Sequence, residues 1–172
     1  TAEGQNALLN LTTGAANTGL GWSSLLSVSS GSFNTAVGAG TLALNTADSN
    51  TATGAAALLL NTTGSTNVAD GAFALFSNTT GSNNTAIGLS ALRLNSTGGG
   101  NIAIGESAGY YLTTGSNNID IGNKGVAAES NTIRIGKKGT QTTTIIAGIR
   151  DTTVAGGIAV LIDSNGRLGT TT

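Results

Sequence analysis

The side chains able to do acid–base chemistry are few in this chain. There are eight carboxylates and no histidine or cysteine. Two carboxylates flanking a substrate can act as an acid and a base. Asp70 and Asp120, however, take the fourth and third positions of a repeated pentad, so they should face different sides of a strand. We therefore predict no catalytic residue, and we interpret the acidic side chains as scattered solvated charges.

The patterns that could hold a metal or a cofactor are also incomplete. Asp163-Ser164-Asn165-Gly166 is similar to the start of a calcium loop, but no later acidic ligand follows. The glycines at 98–100 are not followed by the Lys-Ser/Thr pair of a phosphate-binding loop. Turns explain both segments, and no metal or cofactor site is predicted.

The composition excludes several other classes of function. The chain has 172 residues, of which 9% are charged and 3% aromatic, whereas a typical soluble domain is about a quarter charged. A mean hydropathy of +0.14 is too apolar for a solvated tail, so the chain should fold around small side chains. The net charge of −1 predicts neither nucleic-acid nor anionic-membrane binding. No apolar run approaches the length of about 20 residues that spans a bilayer.

The elements that must position any site are short sequence repeats. The pentad at 84–88 reads Asn-Thr-Ala-Ile-Gly, and close or looser copies recur along the first two thirds of the chain. Its anchoring residues are Asn17, Asn34, Asn50, Asn67, Asn84, Asn101, Asn118, Gly38, Gly54, Gly71, Gly88, Gly105 and Gly122. The numbers of successive asparagines differ by 17, 16, 17, 17, 17 and 17. A period this regular is the signature of a repeat architecture.

The full unit reads N-T-A-I-G-x-x-A-L-x-x-N-T-T-G-S-x, and a residue's place in it is its repeat position, 1 to 17. The pentad alternates, so Thr and Ile share one face of a short strand and Asn, Ala and Gly share the other. The Asn-Thr-Thr-Gly segment is typical of a turn in which Gly takes a positive φ and side chains bond the nearby backbone. The x-x-A-L segment is either a second short strand or a single helical turn.

Stacking of the repeats should give the chain its core. We expect Val37, Ile87, Ile104 and Ile121 to form a buried column, and the anchoring asparagines to form a hydrogen-bonded ladder. The absence of proline suits a backbone that donates hydrogen bonds on every turn. The sequence therefore predicts an all-β fold, a β-solenoid or β-roll of seven repeats over 1–122.

The composition changes after Gly122, since six of the seven Lys and Arg residues lie at Lys124 or beyond. The segment 131–136 is one more pentad-like strand at an off-register spacing, and 142–149 and 158–162 are predicted strands. A turn at 163–166 should precede the closing Leu168. We predict a small β-rich C-terminal cap or neck over 123–172.

Two segments resemble known fibre proteins. The pentad repeats resemble the head repeats of trimeric autotransporter adhesins and related bacterial and phage fibres, although the usual head unit is shorter than this one. The stretches 131–136, 145–149 and 160–171 resemble the region just upstream of an endosialidase-type intramolecular chaperone domain. The resemblance implies a homotrimer of side-by-side or intertwined β-rolls, located outside a bacterial cell or on a phage or injection-machine fibre. It also implies a mature fibre that ends near the chaperone cleavage point.

Several residues interrupt the repeat and are candidate receptor contacts, because exposed aromatic and arginine side chains are favoured binding anchors. They are Trp22, Phe33, Phe73, Phe76, Arg93, Tyr110 and Tyr111. The competing interpretation is that they plug the axis between chains or the ends of the fibre.

The sequence thus favours a non-enzymatic fibre segment that presents a binding surface at a distance and has itself as its main partner, with a cell-surface glycan or protein as a second partner. One alternative is a passive fibre or filament subunit without a receptor. Another is a monomeric solenoid that binds ice or polysaccharide, suggested by threonines that share position 2; we favour instead a ladder of threonines that supports the sheet. They are Thr18, Thr35, Thr51 and Thr85.

Overall fold

A computed structural model describes residues 1–146, 157–164 and 166–169. These residues form two compact units, Thr1–Thr140 and Gln141–Thr172. Their regular elements are all β-strands, with no helix among the described residues. The first unit is a parallel β-solenoid, as predicted, in which residues one repeat apart lie next to each other on successive turns.

One strand of the solenoid forms on each turn, and the nine strands pair in chain order as one parallel sheet. The strands are β1 Ala2–Glu3, β2 Thr18–Leu20, β3 Thr35–Val37, β4 Thr51–Thr53, β5 Val68–Asp70, β6 Thr85–Ile87, β7 Ile102–Ile104, β8 Ile119–Ile121 and β9 Ile133–Ile135. Equivalent repeat positions lie opposite each other, as in the pairing of Thr85 with Ile102 and of Ile87 with Ile104. The shorter step that ends at Asn50 is absorbed outside the strands, because Thr35 still pairs with Thr51.

The Asn, Ala and Gly face of the sheet packs inward, so the prediction that the Thr and Ile face is buried was wrong. Alanines at position 3 are almost completely buried, as are the leucines at position 9 of most turns. Val37, Ile87, Ile104 and Ile121, predicted to form the buried column, are 38%, 40%, 40% and 37% exposed. The interior is narrow: a Cβ on Gly109, at position 9, would lie 3.2 Å from the Ala103 Cβ at position 3. Leucine from one side therefore leaves room only for alanine from the other.

The anchoring asparagines form the predicted ladder inside the solenoid. Asn84 is buried and donates from Nδ2 to Asn67 Oδ1 at 3.1 Å and to the Gly98 carbonyl at 2.9 Å. Its own Oδ1 accepts the backbone N–H of Asn101 at 3.0 Å. Buried amides are stabilising only when such partners are present.

A second asparagine ladder runs through position 12. Asn61 donates to Asn45 Oδ1 and Asn78 donates to Asn61 Oδ1, both at 2.7 Å. Asn95 donates to Asn78, but its own Oδ1 receives no hydrogen bond, because the next turn carries the buried Leu112 at this position. The ladder therefore ends where the sequence changes from Asn to Leu.

The segment between the strand and the second ladder is neither a strand nor a helical turn. It is a run of turns that bonds from one turn of the solenoid to the next, as when Leu75 N–H donates to the Ala91 carbonyl at 2.9 Å. Phe73 and Leu75 have positive φ values of 59° and 50°, and equivalent residues repeat this. Left-handed residues flanking Ala74 aim the leucine into the core without extending a strand.

The Asn-Thr-Thr-Gly turn requires glycine because a side chain would clash with the next turn, and not because the backbone has a positive φ at this residue. A Cβ on Gly81 would lie 2.3 Å from the Gly98 carbonyl oxygen of the next turn, whereas Gly81 is not among the residues with positive φ. The left-handed residue lies two places later, at Asn83 with a φ of 60°. The predicted side-chain bonds to nearby backbone are present, since Asn78 Nδ2 donates to the Gly81 carbonyl at 2.9 Å.

The solenoid continues past its predicted end at 122. Ile119 pairs with Ile133 and Ile121 with Ile135, so β9 adds a turn after a shortened step. The anchor is Thr132, whose N–H donates to Asn118 Oδ1 at 3.1 Å, and not the preceding Asn131. The compact unit accordingly ends at Thr140, later than the predicted boundary. The step from Asn118 to Thr132 is 14 residues, whereas that from Asn101 to Asn118 is 17, so the sequence spacing made this pentad-like strand look out of register with the repeat.

The second unit contains a short antiparallel hairpin. The strands β10 (Leu161–Ile162) and β11 (Leu168–Gly169) pair around the predicted turn, with Gly166 N–H donating to the Asp163 carbonyl at 2.9 Å. Residues 158–160 and 142–146, which were predicted strands, have no strand structure. Residues 147–149 lie outside the described part of the chain.

Candidate binding surfaces

The outward face of the sheet is an extended, mostly uncharged surface of the solenoid with many exposed apolar side chains. Eight strands, β2 to β9, each direct their first and third residues outward, and among these sixteen side chains only Asp70 is charged. Threonines and Asp70 interrupt the apolar residues on β2 to β6, whereas the last three strands carry only isoleucine on this face. These residues, here called the isoleucine patch, are Ile102, Ile104, Ile119, Ile121, Ile133 and Ile135. An exposed apolar patch of this kind is a candidate interaction surface.

The segment at positions 6 to 11 of each repeat lies across the interior from the sheet, and its exposed residues form a second surface. Leucine at position 9 points inward toward the sheet, so the residues that follow it lie on the far side from the isoleucine patch. Five of the seven candidate receptor contacts lie at positions 7 to 11. The other two, Trp22 and Phe33, lie at positions 6 and 17, are 59% and 66% exposed, and make no ring contact with any described residue.

Four aromatic and two cationic side chains form one group on this far surface. They are called the cation–aromatic ribbon: Phe73, Phe76, Arg93, Tyr110, Tyr111 and Lys124. Phe76, Arg93 and Tyr110 occupy position 10 of three successive turns. All of these residues except Lys124 are candidate receptor contacts predicted from the sequence. The contact of Lys124 with Tyr111 depends on the shortened connection after Gly122.

The two halves of the ribbon are held by ring contacts. The Phe73 and Phe76 ring centroids lie 5.9 Å apart, and the Arg93 guanidinium lies over them at 5.0 and 5.7 Å. The Tyr110 and Tyr111 rings meet edge to face at 5.3 Å, with the Lys124 Nζ 5.9 Å from the Tyr111 ring. Such contacts fix the direction of long, flexible cations.

The C-terminal end of the solenoid interior is charged. Asp120 and Arg134 replace alanine at position 3 of the last two turns. Asp120 is 1% exposed and neither carboxylate oxygen receives a hydrogen bond, so it is not the solvated charge predicted from the sequence. Asp70, by contrast, is exposed on the sheet face and accepts the Thr53 hydroxyl.

The electrostatics at this end follow from that burial. Desolvation raises the pKa of Asp120 to about 6; Glu129 adds to the increase and Arg134 opposes it. Arg134 donates from Nε and Nη2 to Glu129, with a closest distance of 2.7 Å, and these bonds lower the pKa of Glu129. The ion pair therefore lies beside a buried carboxyl group whose neutral form is stabilised relative to that of an exposed aspartate.

No group of three or more acidic side chains in the described ranges is placed to hold a metal ion. These ranges also contain no helix of the length and apolarity that crossing a bilayer requires.

Comparisons with protein-family models, curated proteins and solved structures found no match to this chain.

Proposed function

We propose that this chain is a structural and adhesive segment of an extracellular fibre, assembled as a homotrimer through the outward face of its sheet. The observation that carries the proposal is the apolar face with one charge among sixteen outward side chains. Packing this face against other copies would remove isoleucine and valine side chains from water, at about 25 cal/mol for each Å² buried.

The arrangement of repeats supports a mechanical role. Parallel strands, two asparagine ladders and turn-to-turn backbone bonds connect each turn to its neighbours along the solenoid. A thin interior of alanine and leucine gives a single chain little core, so association with further copies would supply the missing burial. Repeated short connections of this kind suit a rod that holds a surface away from its attachment point.

The threefold symmetry, the extracellular location and the adhesive role rest on the resemblance of the pentad repeats to trimeric adhesin heads. Two distinct outer surfaces are consistent with that arrangement. The sheet face would lie toward the common axis, and the cation–aromatic ribbon would remain on the outside. The aromatic side chains would then be receptor contacts rather than plugs of the axis.

The test of assembly is the solution mass by light scattering on a size-exclusion column. We expect a mass near three times 16.7 kDa. A clean monomer would overturn the fibre proposal, and a mass of two chains would overturn its symmetry.

A matched pair of variants locates the interface. Ile104→Lys combined with Ile121→Lys places two charges on the isoleucine patch and should dissociate the trimer. Thr114→Lys, at an exposed position outside the sheet, should leave the mass unchanged. Circular dichroism of each variant verifies that the chain still folds. Retention of the trimer by the folded double variant would exclude the sheet face as the interface.

A further inference from the structure

We infer that the cation–aromatic ribbon binds carboxylated polysaccharides, with Arg93 binding a sugar carboxylate and the flanking rings binding sugar faces. The inference rests on the proposed adhesive function and makes it specific. It begins from the one arginine of the described solenoid that aromatic rings alone hold in place.

Arg93 is partly buried between turns yet has no acceptor among the described residues. Arg134 and Arg167 pair with Glu129 and Asp163, whereas the contacts of the Arg93 guanidinium within the described ranges are the two phenylalanine rings. Its planar fork of N–H donors matches a carboxylate bidentately. Because the rings hold the guanidinium, little side-chain entropy remains to be lost on binding. An anionic, planar acceptor is the ligand group that completes this site.

The rings beside Arg93 supply the second half of the recognition. Phe73 is 37% exposed and is tilted by 58° to Phe76, so ring surface remains open next to the cation. The electron-rich face of an aromatic ring attracts the weakly positive C–H groups on the face of a pyranose. A sugar that carries a carboxylate offers both groups on one residue.

The extent of the ribbon favours a polymer over a single sugar. Phe76, Arg93 and Tyr110 lie on successive turns, about 4.8 Å apart along the solenoid axis. Tyr111, 48% exposed, and Lys124 continue the same alternation of ring and cation onto the following turn. A chain with regularly spaced carboxylates can contact both cations and the rings between them.

Isothermal titration of the full-length protein with a hyaluronan hexasaccharide and an oligoguluronate of similar length tests the site. Chitohexaose is the neutral control. We expect at least one acidic oligosaccharide to bind, chitohexaose to bind at least tenfold more weakly, and affinity to fall as salt is raised. Failure of both acidic probes, or equal binding of chitohexaose, overturns the inference.

Variants assign the binding to the ribbon. Arg93→Gln removes the carboxylate contact and Phe76→Leu removes a ring while keeping an apolar side chain, so each should weaken binding about tenfold or more. Lys138→Gln removes one exposed cation outside the ribbon and should have no effect. Binding that survives Arg93→Gln, or that falls equally with Lys138→Gln, contradicts the assignment.

Two further measurements separate this inference from its alternatives. A Glu-rich hexapeptide that binds as tightly as the oligosaccharides, with the same dependence on Arg93, would identify an acidic protein partner and overturn the glycan class. Light scattering on the same samples reports the assembly independently. If the protein is a trimer but binds no acidic glycan, only the proposed glycan site is overturned. If it is a monomer that binds an acidic glycan, the fibre proposal is overturned and the glycan site stands.

Discussion

At the scale of single residues, the interior of this solenoid depends on asparagine. Each anchoring amide is buried where an unpaired polar group would be costly, and each finds its partners on neighbouring turns. Asparagine suits this role because one side chain supplies both donors and acceptors within a short reach. The same interior penalises the one carboxylate that enters it, Asp120, for which the neighbouring turns supply no donor.

Replacing one ladder asparagine should destabilise the whole unit. In Asn84→Ala, the Asn101 N–H loses its buried acceptor and a small cavity remains, so the free energy of unfolding should fall by about 3 kcal/mol. Urea denaturation measures the change. Thr80→Ala, at an exposed turn position of the preceding repeat, should change stability by less than about 0.5 kcal/mol. Equal effects of the two variants would mean that the ladder contributes nothing specific.

Asp120 should make stability depend on pH. Its pKa is about 6 in the folded chain against an ordinary value of 3.8, so the folded state binds more protons between these values and stability falls as pH rises through this window. Glu129 contributes a pH dependence of stability with the opposite sign. Its pKa is lowered by the contact with Arg134, so that stabilising contact weakens as pH falls.

Comparison with Asp120→Ala isolates the aspartate, since alanine is the residue at this position in most other turns. The variant should be more stable than the parent near pH 7, and its stability should no longer fall between pH 4 and 7. The stability of Asp120→Asn, which keeps the shape of the side chain without its charge, should likewise no longer fall in this range. Urea unfolding at a series of pH values gives both profiles, and identical slopes in all three proteins would refute the assignment.

At the scale of elements, each turn is defined by where its backbone approaches the next. The glycine that ends each strand has a positive φ, 128° at Gly88, and a Cβ there would lie 2.6 Å from the Gly105 carbonyl. These glycines are the repeat anchors predicted from the sequence, and close approach of the next turn explains why glycine is needed there. The anchors are not equivalent, because Gly122 has a φ of 61° and no atom within 4 Å of an added Cβ.

This difference predicts unequal costs for the same substitution. Gly88→Ala combines backbone strain with a clash against the next turn and should cost about 2 kcal/mol or more. Gly122→Ala adds only left-handed strain and should cost about 1 kcal/mol. Thermal and urea unfolding of the two variants measure the difference. A larger cost at Gly122 would show that the contact with the next turn is not the controlling feature.

At the scale of the whole solenoid, stability should be graded along the axis. A central turn has two neighbours, whereas the first turn has one, so local opening should be easier at the end. Two equivalent hydrogen bonds permit a direct comparison: Gly88 N–H to the Asp70 carbonyl at 2.7 Å, and Gly21 N–H to the Glu3 carbonyl at 2.8 Å.

Amide hydrogen exchange followed by NMR tests this gradient. We expect the Gly88 amide to exchange at least about tenfold more slowly than the Gly21 amide, after correction for intrinsic rates. Assembly through the isoleucine patch should slow exchange further in β7 to β9. Equal protection of the two amides would indicate that the solenoid opens as one cooperative unit.

The sequence by itself determined the period, the alternation within each pentad, the Asn and Gly anchors, and the turn at 163–166. These features are local: strand geometry has a two-residue period, and only equal spacing lets like residues stack. The left-handed leucines at position 9 carried no readable signal, since leucine disfavours that conformation and adopts it here under tertiary constraint.

Only the tertiary structure decided which face of the strands lies inside. Alternation separates Thr and Ile from Asn and Ala but does not say which set is buried. The choice depends on what packs across the interior, and the position-9 leucines leave space for alanine and for amides that bond from turn to turn. The isoleucines are consequently on the surface, because a solenoid this narrow cannot enclose two bulky columns.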